Sequence, residues 1–486
     1  MLAVCVGASA GSRANSLAGA REQWKQMMRE LDVPGMAVVV VKNDSVILNE
    51  TLGIRNLTDR SPVTPQTCFY IASDTKPFVA ATVLSLVEDK RLNLDDPVRK
   101  YLPRFQLSDT ALTTSITIED LLCHRYGINS DRIVFLDAFT GNINENRYYH
   151  FLERATIAGK PEYSNVHYTL LGRVIEAVSG HSWKKEVQRH ILTPAGLTRT
   201  TTSASELYAG DNFAEPMISL GGVFQPVTTR KTDSTMHAAG GMATTSTDLA
   251  NWMRMLLNEG RLGSKRILSA ESVRKMLNMK VTTEKSHLPP PLKWIRKGFS
   301  DGFHVSDFEG IKVVELGGNY PGASSFVMLV PDSTIGVGVL MNVNSPVCMI
   351  VIADVLDKLM GTTHGDLIAL VKPVIARQTS TTEKNLARVS DSAATHIDAL
   401  SLPLEKYTGT YYNELFGRLS LIAAKGRLKG RLGEMELLIA PTTTDRFIAY
   451  SIWDPHSAGR FDIDNGSVSA VRCEFFSGDT VAFHRQ

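Results

Sequence analysis

The placement of strand-like segments limits this fold more than any other feature. Met36 to Val41 and Val46 to Leu48 are apolar, β-branched runs joined by the turn residues Asn43, Asp44 and Ser45, and they read as a hairpin. The pattern does not return until Ile311 to Leu316, Ser324 to Val330 and Ile335 to Met341. The spacing between them predicts helices over Phe78–Asp89, Thr117–Cys123, Asn165–Val178, Ser182–Ile191, Asp248–Asn258 and Ala270–Leu277, with another over Ser16–Leu31. A sheet must therefore be assembled from the two ends of this region around a helical insertion, an α/β arrangement.

Beyond it, Gln378 to Thr395 is rich in Ser, Thr and Ala and reads as a linker or loosely packed helix. From Leu402 the character changes to short strands at turn-like intervals: Tyr407–Tyr412, Arg418–Ala423, Met435–Ile439, Arg446–Ser451 and Val471–Phe476. That is a small all-β module, a barrel or strongly curved sheet. At 486 residues the chain has room for one large domain and a smaller one.

Several function classes are disfavoured. The 52 basic and 50 acidic residues are mixed along the chain with no Lys/Arg block, which argues against nucleic acid as a partner. The five cysteines are far apart and in no metal-ligand spacing, so they read as small buried hydrophobes. Ser324 to Leu356 is the most apolar later stretch, but Pro331-Asp332, Asn342 and Asn344 interrupt it, so no transmembrane helix is expected. Met1 to Ala10 ends in Ala-Ser-Ala and resembles the tail of a secretion signal. It points to export, to the periplasm or outside the cell, with the cytoplasm as the alternative. Gly7-Ala8-Ser9-Ala10-Gly11 matches a nucleophile-elbow pattern but has no preceding strand, so it carries no weight.

Three short segments carry chemistry. In Ser73-Asp74-Thr75-Lys76-Pro77, the proline is tolerated only in a first helical turn, which places Ser73 to Lys76 at a helix N-terminus. Residues three apart on a helix share a face, so Lys76 reaches Ser73. The helix dipole favours developing negative charge there and pushes Lys76 toward the neutral amine that accepts a proton. Tyr163-Ser164-Asn165 precedes a helix, where a tyrosine can shuttle a proton and an asparagine amide can hold a carbonyl. Leu316-Gly317-Gly318-Asn319 follows a strand, and paired glycines mark a close backbone approach, by a substrate for instance. Each alone is better explained as ordinary structure: a solvated helix start, an N-cap asparagine, a glycine-rich turn.

Together and in this order they resemble the serine β-lactamase and penicillin-binding-protein superfamily, in its class C and D-alanyl-D-alanine carboxypeptidase-like branch. The resemblance extends to TIEDLLCHRYGI (117–128), YSNVHYTLLGRVIEAVSG (163–180), AAGGMATTSTDLANWMRMLLNEG (238–260) and PGASSFVMLVPD (321–332), while LPLEKYTGTYYN from Leu402 resembles the lipocalin-like module attached to many members. It implies an antiparallel sheet flanked by helices plus a mainly helical subdomain, then a barrel-like domain. The expected division is 1–21 signal remnant and arm, 22–365 catalytic domain, 366–401 linker and 402–486 β domain. It also implies that Ser73 attacks the acyl carbon, Lys76 and Tyr163 share the acid–base work, and Asn165 binds the substrate amide. The backbone N–H groups of Ser73 and Asn319 form the oxyanion hole.

Neither metal nor organic cofactor is needed by such chemistry. The expected substrate is a small ester, amide or peptide, and oligomeric state stays open. Two positions depart from the pattern. Leu316 stands where the family has Lys or His, so the anchor for an anionic substrate is missing and neutral esters or amides are expected. The alternatives are a β-lactamase, a D-alanyl-D-alanine carboxypeptidase, or a non-catalytic binding protein. His304 and His237 are candidate substitutes for the missing donor. His124-Arg125-Tyr126-Gly127 replaces the usual His-Thr-Ser-Gly, and His124 reads as structural.

Overall fold

The computed structural model describes residues 17–220, 222–227, 229–286, 292–395, 399–451, 457–475 and 480–486. Met1–Ala10 and the Gly7–Gly11 pattern lie outside them.

An eight-stranded antiparallel sheet runs in the order β3-β4-β5-β6-β7-β8-β1-β2. Its strands are β1 (Gly35–Lys42), β2 (Ser45–Gly53), β3 (Val281–Ser286), β4 (Trp294–Phe299), β5 (His304–Phe308), β6 (Ile311–Tyr320), β7 (Ala323–Val330) and β8 (Ile335–Met341). β1 sits between β2 and β8, in register Met36 opposite Met341, so the two ends of the region meet in one sheet as expected, one strand in from its β2 edge. Side chains alternate across a strand. Met36, Val38 and Val40 thus join one core with Trp24 and Met27 of α1 (Ala20–Glu30) and the apolar face of α5 (Val347–Met360). Ala37, Val39 and Val41 join the other, with α2 (Lys76–Glu88), α3 (Asn165–Ser179) and α4 (Ser246–Leu257). Trp24 Nε1 donates to Asp354 Oδ2 at 2.8 Å and pins α1 to α5.

Three differences from the sequence reading bear on the site. The second group of strands begins at Val281 rather than Ile311, which adds β3, β4 and β5 to the sheet. The glycine pair does not end a strand: β6 continues through Leu316–Asn319 to Tyr320. The segment 366–401 takes the helical of the two forms read for its Ser/Thr-rich part, and the helix starts earlier: α6 (Leu367–Thr395) fills most of it and buries Leu367 and Val371 in the α1/α5 core.

The C-terminal part is a closed antiparallel barrel of eight strands, β9 (Gly409–Asn413), β10 (Gly417–Ala424), β11 (Arg427–Leu432), β12 (Met435–Thr443), β13 (Arg446–Tyr450), β14 (Ser457–Asp464), β15 (Ser467–Glu474) and β16 (Thr480–Arg485). Leu419, Leu421, Leu428, Leu432, Leu437 and Ile439 alternate into its interior, and closure removes the free edges that invite aggregation. One end docks on the helical region. Arg147 Nε donates to Glu414 O at 2.7 Å, Asn142 Nδ2 to Phe416 O at 3.0 Å, and Glu434 N to Thr140 O at 2.8 Å.

Candidate active site

Ser73 stands in a single 3-10 turn, Ala72–Thr75, whose other three residues are buried. The chain turns sharply at Ala72, held at φ 44°, a conformation non-glycine residues rarely adopt and one that concentrates at functional sites. α2 then starts at Lys76 with Pro77 in its first turn, as the proline requires. Lys76 Nζ lies 3.1 Å from Ser73 Oγ, 2.8 Å from Asn165 Oδ1 and 2.7 Å from Ala239 O. Tyr163 donates its hydroxyl to Ser73 Oγ at 2.7 Å, and the Lys76 nitrogen sits 4.7 Å from the centre of the Tyr163 ring. Asn165 is not the N-cap of α3. Ser164 is, accepting from Val166 N, which leaves the Asn165 side chain free to face the lysine.

Environment moves the two titratable groups in opposite directions. Complete burial holds the Lys76 ammonium well below its ordinary value, with Asp74 partly offsetting. Burial also pushes the Tyr163 phenol up, opposed by its bond to Ser73. Burial raises the Asp74 carboxyl as well, opposed by its bond from Ser325, whose Oγ donates to Asp74 Oδ2 at 2.5 Å. Ser325 in turn reaches Ile71 O at 2.9 Å. That chain ties β7 to the nucleophile turn.

β6 closes the site. β5 pairs with it only as far as Glu315 opposite His304, so the β5 side of the strand is free of β5 from Leu316 onward. Gly318 is required by close approach: a Cβ there would stand 1.9 Å from Ile71 O. Gly317 is half-buried, Asn319 is exposed, and Asn319 Oδ1 accepts from Ser324 Oγ at 3.1 Å. Leu316 is 2% exposed and points into the core that holds α2.

His124 braces the Tyr163 loop. Its Nδ1 lies 3.0 Å from His167 Nδ1, it accepts from Ser164 N at 3.3 Å, and its ring packs 4.9 Å from that of Tyr163. Burial holds it well below its ordinary value. His304 packs on Tyr163 at 5.6 Å between ring centres, whereas His237 is half-buried in the loop that carries Ala239, its ring against Gly240.

Sequence reasoning missed two cations near this site. Arg296 of β4 pairs with buried Glu315 at 3.7 Å, and its charge acts on the Tyr163 phenol. Lys231 is buried 4.3 Å from the centre of the Tyr320 ring and 5.4 Å from those of Tyr70 and Phe139. It donates to Ala138 O at 2.5 Å, and burial lowers it to about 7. No spacing signal announces either, since their partners are remote in the chain. Among the described residues no cluster of His, Cys, Asp and Glu could hold a metal ion. Cys68, Cys123, Cys348 and Cys473 are free and buried.

A family profile described as Beta-lactamase matches residues 21–357. Protein flp of Staphylococcus aureus (strain MW2) is 29% identical over 325 residues, 64% of this chain and 60% of that protein, so the chain spans about 60% of the length of that relative. Penicillin-binding protein 4 of Amycolatopsis lactamdurans is 26% identical over 71% of this chain and 90% of its own. The octameric penicillin-binding protein homologue from Pyrococcus abyssi superimposes with a TM-score of 0.62 at 24% identity, over 96% of this chain and 99% of that one.

Proposed function

The chain belongs to the beta-lactamase family, and from that premise we propose that it is a serine hydrolase that turns over neutral esters or amides through an acyl-enzyme on Ser73. The observation that carries this reading is Ser73 Oγ held between Lys76 Nζ at 3.1 Å and the Tyr163 hydroxyl at 2.7 Å.

A neutral lysine amine has two N–H groups and one lone pair. Asn165 Oδ1 and Ala239 O take the two N–H groups, which leaves the lone pair for the Ser73 hydroxyl proton. Lys76 is therefore the base that activates the nucleophile. Tyr163, held protonated, is the acid that delivers a proton to the leaving group. Paired groups whose environments drive their protonation apart commonly divide roles this way. With its Oδ1 engaged by Lys76, Asn165 offers its Nδ2 to a substrate carbonyl. The backbone N–H groups of Ser73 and Asn319 hold the developing oxyanion. Water then releases the acyl group, with Lys76 and Tyr163 exchanging roles.

Leu316 narrows the substrate. It offers neither charge nor donor at the start of the free strand edge, and Arg296, the cation in the neighbouring part of the sheet, is already paired with Glu315. A neutral group fits there better than a carboxylate. The test is fluorophosphonate labelling with intact-mass detection of acyl adducts across esters, D-peptides and β-lactams. Labelling lost in Ser73→Ala with ester adducts supports the reading. An unlabelled wild type, or a cephalosporin turned over much faster than a short-chain p-nitrophenyl ester, overturns it.

A further inference from the structure

The edge of β6 ends at a turn that borders a separate cleft. Past Asn319 the chain runs through Tyr320, whose ring stacks on Phe139 with centres 5.3 Å apart, to Pro321 and Gly322. Those two residues line a cleft of about 1490 Å³ at the seam between the catalytic sheet, α6 and the outer face of the barrel. Pockets for drug-sized ligands commonly measure about 300–1,000 Å³, so this one suits an extended chain. The barrel is fixed beside it, since Glu434 N donates to Thr140 O, the carbonyl next to Phe139.

The cleft floor is a cross-strand row on the barrel exterior. Ile422 of β10 lies opposite Lys429 of β11, Lys429 opposite Leu438 of β12, and Leu438 opposite Tyr450 of β13. Ile422 is 57% exposed, and Val374 on the α6 wall is 43% exposed. Large aliphatics left open within one concavity mark a binding surface. Arg377 and Lys429 carry no ion pair among the described residues, while Arg431 in the same cleft is paired with Glu434. Aliphatic surface interleaved with free cations selects a ligand that is apolar along its length and anionic at one end.

We propose that this seam binds the remote end of the acyl group: an extended aliphatic chain ending in a carboxylate, laid along the edge of β6 with its reacting carbon at Ser73. Pro321 and Gly322 form the turn that follows Tyr320, so an acyl group must extend past Asn319 and Tyr320 to reach the cleft, which an acetyl group does not. The anionic end is thereby recognised at the far side of the site from Leu316. This inference rests on the acyl-enzyme reading, and the experiment separates the two.

The probes are p-nitrophenyl acetate, p-nitrophenyl decanoate and the p-nitrophenyl hemi-ester of dodecanedioic acid, compared by kcat/KM in the full chain. Wild type is expected to favour the hemi-ester over acetate by at least about tenfold, the scale at which a few apolar contacts discriminate substrates. Ile422→Glu removes that preference for both long esters. Lys429→Glu removes the advantage of the hemi-ester over decanoate, and Val46→Glu, a remote exposed control, changes no ratio. Calorimetric binding of dodecanedioate to Ser73→Ala reads the cleft without turnover, and is lost on adding Ile422→Glu or Lys429→Glu. Absent Ser73-dependent acetate hydrolysis overturns the acyl-enzyme reading. Equal treatment of short and long esters, or dodecanedioate binding that survives both cleft substitutions, overturns the assignment of the cleft.

Discussion

Gly318→Ala tests whether β6 and the nucleophile turn form one rigid constellation. A Cβ at Gly318 would stand 1.9 Å from Ile71 O and 2.5 Å from Ser325 Oγ, where ordinary contact begins at 3.4 Å. Both neighbours resist: one is the backbone before Ser73, and the other bridges Asp74 and Ile71. Relief requires the strand to back away from the turn by about 1.5 Å, and a 1 Å misplacement already costs about 100-fold in rate. Ester kcat/KM in Gly318→Ala is therefore expected to fall by about 100-fold or more, with an overpacking cost of about 1–3 kcal/mol in stability. Gly317→Ala is the matched control. Its Cβ meets Phe326 Cδ2 at 2.8 Å, an edge of a side-chain ring that can rotate aside, so the expected loss is under about tenfold. The assay is Ser73-dependent p-nitrophenyl acetate hydrolysis beside a thermal melt of each variant. A folded Gly318→Ala enzyme within about threefold of wild type, or equal losses at both glycines, would refute the argument.

Because burial keeps Lys76 well below an ordinary lysine, ester kcat/KM should rise with pH along a limb well to the acid side of 10.5. A limb near 10 would contradict the neutral-amine assignment, and Lys76→Arg, permanently charged, should lower kcat by about 100-fold or more. Lys231 titrates at about 7 in the fold and about 10.4 unfolded, so the unfolded chain takes its proton first as pH falls. Wild type should therefore lose stability from about pH 10 down to 7 and no more below. The melting gain of Lys231→Met should widen over that window and then stay constant, and a gain independent of pH would count against the shift. Leu316→Lys places a cation at the start of the free edge and should raise acylation by benzylpenicillin relative to p-nitrophenyl acetate, measured by intact mass. An unchanged ratio would show that Leu316 does not set the charge preference.

The parts of the site readable from sequence are those whose meaning is local. Pro77 located the helix start, and Ser73 and Lys76 followed from spacing on one turn. The strand hairpin at Met36–Leu48 announced itself by β-branched runs. What escaped depends on neighbours far along the chain. The segment before β4 carries Pro289, Pro290 and Pro291, which hid the β3–β4 pairing and with it Arg296. Lys231 looks like any surface lysine until Tyr70, Phe139 and Tyr320 close around it. In the barrel, Arg427–Leu432 alternates Leu428, Gly430 and Leu432 inward, but three basic residues in the same run masked the pattern. The Ser/Thr-rich composition of α6 suggested a tether, yet its first turns carry the apolar residues that seat it.

The seam between the two ends of the chain in the catalytic sheet has a consequence during synthesis. β1 reads GMAVVVVK, buried on both faces, and its partner β8 is not made until some 300 residues later. At about 5–20 residues per second, the ribosome leaves that strand without its mate for roughly 15–60 s. Through this interval the hairpin presents an unpaired apolar edge, a template for pairing with other chains. β6 emerges late too, so the strand proposed to complete the oxyanion hole does not reach the Ser73 turn until the sheet is nearly complete.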